Sequence, residues 1–136
     1  FNTYGPGQTL TPYVGVITIF INKLLKGEQP VIFGDGEQQR DFTHVDDIVS
    51  GTMATLAGPP GTYNLGTGKA SSVNDIASML IAHINPDITP LYAAEQVGEL
   101  KISIADILKA QNNLNYSPSH DIASDIKSVI EHIKTR

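Results

Sequence analysis

Apolar residues recur along the chain at helical spacing in some stretches and in short β-favouring runs in others, with glycine and proline between them. From Thr11 the pattern turns helical. Val16, Phe20 and Leu24 recur every fourth residue beside a second column of Ile17, Ile21 and Leu25, with Pro12 suited to a first turn and Gly27 to a C-terminal stop. Two adjacent apolar columns make a wide stripe, as a core-facing helix requires. Val31-Ile32-Phe33 follows as a short strand, and Gly34-Asp35-Gly36 supplies positive-φ positions, so a hairpin or bulged turn is expected there. Beyond it Arg40, Phe42 and His44 alternate with Asp41, Thr43 and Val45, an extended segment able to aim a guanidinium and an aromatic ring from one edge. Asp46 or Asp47 then reads as the N-cap of a helix through Ile48, Met53 and Leu56, stopped by Gly58-Pro59-Pro60-Gly61.

The second half continues the alternation. Residues 62–68 are rich in β-formers and end in glycine, which predicts a strand. Ser71 or Ser72 caps a helix with Val73, Ile76, Ala77, Leu80, Ile81 and Ile84 on one face, ended by Pro86. Residues 88–93 form a further candidate strand and 95–99 a polar loop. A helix is expected from Ile104 or Ala105 to Leu114, and a last one over 121–133 with Ile122, Ile126, Val129, Ile130 and Ile133 on one side. Asp121 at its start and Lys134 and Arg136 at its end suit the helix dipole. Helices and strands in this order make the chain α/β.

Size and composition narrow the function. A chain of 136 residues is one domain's worth. No apolar run approaches the roughly 20 residues that span a bilayer, so no membrane partner is expected. A formal charge of -5 with nine scattered Lys and Arg residues argues against nucleic acid, but leaves room for a small anion held by one or two arginines. The absence of cysteine excludes disulfide and thiolate chemistry and fits a reducing, cytoplasmic setting. His44, His83, His120 and His132 lie too far apart in sequence for a short metal-ligand motif, and no metal site is expected. The first residue is Phe1 and no basic-then-apolar leader follows, so the chain is expected to begin inside a longer polypeptide. Gly34-x-Gly36 and Gly66-x-Gly68 continue neither as GxGxxG nor as a P-loop and read as turns. On spacing alone Arg40 serves equally as a surface arginine on a hairpin, and Asn2 as a residue bonding its own loop.

The ordered motifs decide between these readings. Phe1-Asn2-Thr3-Tyr4-Gly5-Pro6, Pro30 to Gly36 with Gln39-Arg40-Asp41-Phe42 and Val45-Asp46-Asp47, Tyr63 to Gly68, and Val97-Gly98-Glu99 leading to Ala105-Asp106 resemble the C-terminal half of the extended short-chain dehydrogenase/reductase family. More closely, they resemble NAD-dependent nucleotide-sugar epimerases and dehydratases of the UDP-glucose 4-epimerase kind, enzymes of carbohydrate metabolism. The resemblance runs over the whole chain. It implies an extended Rossmann-type epimerase whose C-terminal half, a small mixed sheet with flanking helices, binds the nucleoside diphosphate of the sugar. Its N-terminal half binds NAD and carries the catalytic Tyr and Lys. None of the tyrosines here has a lysine four positions on, and no GxxGxxG is present. The expectation is therefore a single substrate-binding domain or fragment over 1–136 with no catalytic residue and no cofactor of its own, NAD belonging to the parent family.

Carried over residue by residue, the resemblance gives Asn2 and Arg40 to the diphosphate, and a planar guanidinium suits phosphate oxygens. It sets Phe42 near the nucleotide, Val16 in the helix flanking the base, Val31 to Phe33 along the base, and Glu99 at the ribose hydroxyls. Many members carry a second arginine three residues before that acid. Here the position is Gln96, which brings no charge, so diphosphate affinity is reduced unless Lys101 or another cation compensates. The implied partners are a nucleotide-sugar, a UDP-sugar first, and the N-terminal NAD-binding half in cis or trans, with a homo-oligomer as a further expectation. The alternative is a non-catalytic remnant that binds nucleotides or acts as a protein-interaction module, and a proteolytic or engineered piece of a full enzyme is a third origin. The sugar, the base and the choice between epimerase, dehydratase and reductase depend on residues outside these motifs.

Overall fold

A computed structural model describes residues 1–11 and 14–135. In chain order its elements are β1 (Asn2–Tyr4), α1 (Val16–Leu25), β2 (Val31–Phe33), β3 (Gln39–Arg40), β4 (Phe42–His44), α2 (Val45–Ala54), β5 (Ser71–Ser72), α3 (Val73–Ile84), β6 (Leu91–Ala93), β7 (Ile102–Ser103), α4 (Leu108–Leu114) and α5 (Ile122–Lys134). The apolar stripes of α1, α3 and α5 meet. Ile17, Phe20, Ile21 and Leu24 pack against Val73, Ile76, Ala77 and Leu80, and Ile122, Ile126, Val129 and Ile130 close the cluster, with Tyr4, Ile32 and Phe42 added from the strands. A smaller cluster of Ala105, Ile107, Ala110, Leu114 and Tyr116 lies against Tyr63 and Leu65.

Local chemistry sets the helix ends. Ser72 caps α3 by accepting from Asp75 N, and the Asp75 carboxylate accepts from Ser72 N in return, a capping box. Asp121 caps α5, and Gly27 follows α1 with φ of 74°. Helix α1 begins at Val16 rather than near Thr11, after an extended Gly15. Pro12 and Arg136, assigned above to helix ends, lie outside the described residues.

The strands differ from the expected pattern. β2 and β3 do not form a hairpin: β2 pairs in parallel with β6, while β3 pairs antiparallel with β5 and parallel with β7. The turn at 34–36 carries the chain from one small sheet to another. Gly36 there has φ of 78° and sits against the Asn74 side chain, so a Cβ fits neither the backbone nor the space. β1 and β4 form a third, parallel pair in which Asn2 faces Phe42 and Tyr4 faces His44. The result is the expected α/β class, with small sheets of mixed pairing flanked by helices.

Residues 62–68, expected as a strand, form an irregular loop. The reason is Asp41. Its carboxylate, fully buried, accepts from the backbone N–H groups of Thr67, Gly68 and Ala105 and from the hydroxyls of Thr43 and Thr67, at 2.7 to 3.2 Å. Backbone donors that would join a ladder are directed at a side chain instead, and Tyr116 Oη donates to Gly66 O at 2.9 Å in the same way. A Cβ at Gly66 would strike Asp41 and Ala105. α4 starts at Leu108, with Asp106 Oδ1 accepting its N–H, not at 104 or 105, and Ala105 N donates to Asp41 ahead of it.

Burial alone would raise the Asp41 pKa, but the donors from Thr67, Gly68 and Ala105 outweigh it and hold the carboxylate below its ordinary value. Its contribution to stability is therefore present above the unfolded carboxylate pKa and lost as pH falls through the lower folded value. Asp41→Asn keeps the size but turns an NH2 group toward N–H and O–H donors. It should destabilise the fold by about 2 to 4 kcal/mol, read as a lower urea midpoint at unchanged slope.

Candidate functional site

Between the turn at 33–38 and the loop at 95–101 lies a cavity of about 220 Å3. Phe33, half-exposed at the end of β2, stands on one side, and Gln38, Glu99 and Lys101 stand on another. The loop is shaped by a turn in which Glu99 N donates to Gln96 O at 3.2 Å, and by β7, whose approach is fixed by Gln39 N donating to Lys101 O at 2.8 Å. Four carboxylates line the cavity, those of Asp35, Glu37, Glu95 and Glu99, against one ammonium, that of Lys101. Such a balance suits a neutral ligand body rich in N–H and O–H donors.

Arg40 lies behind Glu99. Its guanidinium donates to Glu99 Oε1 at 3.1 Å and to the carbonyl of Gln39 at 2.8 Å, with the arginine side chain 14% and the glutamate side chain 25% exposed. Gln38 Nε2 donates to the same Glu99 oxygen at 3.4 Å and to Phe33 O at 3.0 Å, so it ties Glu99 to the strand end. Asn2 stands one strand away, its backbone N–H on the carbonyl of Asp41 at 2.9 Å.

Of the residues singled out from sequence, Phe33 and Glu99 line the cavity, Arg40 touches it through Glu99, and Asn2 neighbours Asp41. Val31 pairs with Leu91 in the strand leading to Phe33. Gln96 is exposed and contributes its carbonyl to the loop turn. Val16 packs partly into the core at the start of α1. Phe42 is buried in the core and borders a second depression with Lys69, Ser71 and His120. Gln38 carries no motif of its own, and only its contacts mark it.

A second polar cluster joins α2 to the segment before α5. The N-cap of α2 is His44, not Asp46 or Asp47: its Nδ1 accepts from Asp46 N at 3.2 Å. Asp47 is instead drawn to the far segment, where it accepts from Ser119 N, His120 N and His120 Nδ1 at 3.0 to 3.2 Å. The His120 ring stacks on His44 with centroids 4.1 Å apart and 11° between planes, and the Tyr4 ring meets His44 edge-on. Sequence distance hid this meeting of two histidines. Ligand atoms of His44, Asp46 and His120 lie within 4.8 Å of one another. Stacked rings send their in-plane lone pairs along parallel planes rather than toward one ion, and His44 Nδ1 already accepts a helix N–H.

The hydrogen bond to Asp47 raises the His120 pKa, outweighing partial burial, with the charges of Asp47, Asp125 and Asp46 adding to it. The Asp47 carboxylate, which burial alone would raise, is held below its ordinary value by Ser119 and His120. The pair is therefore fully formed between the unfolded carboxylate and imidazole pKa values. Its contribution fades as pH rises through the raised His120 value, and again as pH falls through the lowered Asp47 value. Stability followed by urea midpoint should drop as pH rises above about 6.5 in the wild type, and His120→Asn should flatten that drop.

The family model for "NAD dependent epimerase/dehydratase family" matches residues 1–66. The UDP-glucuronate 4-epimerase of Thermodesulfobacterium geofontis is 36% identical over 138 residues, 98% of this chain and 41% of that protein. Among solved structures, UDP-glucose 4-epimerase of Thermotoga maritima with UDP-glucose is 32% identical, with a TM-score of 0.93 over 98% of this chain and 44% of that one. UDP-N-acetylglucosamine 4-epimerase of Methanobrevibacter ruminantium, in complex with UDP-N-acetylmuramic acid, is 32% identical with a TM-score of 0.92, over 99% of this chain and 44% of that one. The chain spans less than half the length of the curated relatives it matches.

Proposed function

We propose that the chain, whose residues 1–66 match the NAD dependent epimerase/dehydratase family, forms the nucleotide-diphosphate-sugar binding portion of an NAD-dependent sugar epimerase of that family. The observation that carries this reading is the succession Phe33, Glu99, Arg40 from the cavity inward. In it, the base lies along the end of β2 beside the Phe33 ring, the ribose hydroxyls meet the Glu99 carboxylate, and the diphosphate reaches Arg40, with Asn2 near it. A neutral nucleoside suits a cavity whose lining is mostly acidic, and a guanidinium behind it suits two phosphates. Lys101, on the cavity wall, supplies the charge that Gln96 lacks.

NAD does not fit the glycine turns of this chain. Gly36 backs onto Asn74, and the N–H groups of Thr67 and Gly68, which a pyrophosphate would need, donate into Asp41. In this reading the cofactor and the catalytic Tyr and Lys come from an NAD-binding half, in cis or in trans. The exposed Val49 and Met53 on α2, with Leu56 just beyond its end, offer that half an apolar surface. The same surface is what favours the second reading, a protein-interaction module without catalysis. Among the described residues no helix is long and apolar enough to cross a membrane.

Calorimetric titration of the purified chain with UDP and UDP-glucose tests the assignment. Binding should weaken with added salt, and Arg40→Ala should lower affinity about ten- to a hundredfold, with urea midpoints as the folding control. The chain alone should not interconvert UDP-sugars. Turnover without an added NAD-binding half would overturn the division of labour, and absence of binding at millimolar ligand would leave the interaction reading.

A further inference from the structure

We propose that Glu99 is a gate that yields the Arg40 guanidinium only to ligands bearing a vicinal diol, so that the site selects nucleoside diphosphates over bare diphosphate. This rests on the reading above that the cavity receives a nucleoside diphosphate. Arg40 does not line the cavity, whereas Glu99 and Gln38 do. The guanidinium meets the cavity through a carboxylate oxygen 3.1 Å away, and Gln38 donates to that same oxygen at 3.4 Å. A bare diphosphate approaching Arg40 meets Glu99 first, with Asp35, Glu37 and Glu95 around it and Lys101 as the one cation on the wall. Like charges at such separations oppose entry, and displacing Glu99 would leave a half-buried carboxylate without its partner.

A ribose changes the exchange. Its two adjacent hydroxyls are donors, and a carboxylate has lone pairs for both. Glu99 can turn from the guanidinium to the diol without losing its hydrogen bonds, and Arg40 is freed for the diphosphate in the same movement. Among the described residues, Arg40 donates only to Glu99 and to Gln39 O, and the latter bond anchors the group to its own strand while its remaining N–H donors take the phosphates. Glu99 is thus a specificity-determining residue that acts through Arg40 as well as on the sugar ring.

The test is calorimetric titration of the purified chain with three ligands at one ionic strength: inorganic pyrophosphate, UDP, and the 2′,3′-dideoxy analogue of UDP. In the wild type UDP should bind about tenfold more tightly than its dideoxy analogue, and pyrophosphate more weakly than either. Glu99→Gln removes the competing charge, so pyrophosphate should bind more tightly and the preference for UDP over the dideoxy analogue should disappear. Equal wild-type affinity for UDP and the dideoxy analogue would overturn the gate, a result that does not depend on any variant folding. So would a Glu99→Gln change that moves pyrophosphate and UDP together. If Arg40→Ala leaves UDP binding intact, or no ligand binds the wild type, the underlying reading falls and the gate with it.

Discussion

The Asp41 carboxylate, buried and surrounded by donors, is the interaction on which the rest of this structure depends. It sits between β3 and β4, where the chain leaves one small sheet for another, and it holds the loop at 66–68 and the approach to α4 by their backbone N–H groups. A buried charge is tolerable only when its lone pairs are filled, and here donors from three separate segments fill them. Arg40 precedes it directly. The carboxylate next to Arg40 in the chain is therefore fixed by one local donor, Thr43, and by backbone donors that lie more than twenty residues away in sequence.

That arrangement explains what the chain's pattern reveals and what it conceals. α1, α3 and α5 are legible because an apolar stripe at helical spacing is a local property, and Ser72 and Asp121 cap the latter two by bonds to residues three positions on. The strand expected at 62–68 fails because β-forming residues there do not pair; their neighbours' N–H groups are taken by Asp41 and their carbonyl at Gly66 by Tyr116. The hairpin expected at 34–36 fails for a related reason. Glycines specify a reversal of direction, not which strand receives the chain afterwards, and β2 finds β6 while β3 finds β5 and β7. At the start of α2 two aspartates conform to the capping rule, but the stacked His44 takes the cap and Asp47 is claimed by Ser119 and His120.

The candidate site divides along the same line. Arg40 and Glu99 can be singled out from ordered motifs, because each lies in a short segment of distinctive composition. Their meeting cannot, since it depends on β3 pairing with β7 and carrying the 96–101 loop across the turn. Gln38, which braces Glu99, is a glutamine among glutamines in Glu37-Gln38-Gln39, and no spacing rule distinguishes it. The excess of carboxylates around the cavity is likewise a product of folding: the turn and the loop are each modestly acidic, and only together do they make a lining that suits a neutral nucleoside better than a free anion.

The Tyr4 hydroxyl donates to Asp125 at 3.1 Å, a bond that joins the first strand to the last helix. With β2 paired to β6 and β3 to β7, the sheets too are made of partners far apart along the chain. The consequence is kinetic. Each closure gives up chain entropy before its contacts exist to offset it, so helices form early and the strands find one another late. During synthesis β1 can pair with β4 early, but the core face that α5 covers must wait until that helix has left the ribosome, and it stays open to chaperones and proteases for that interval.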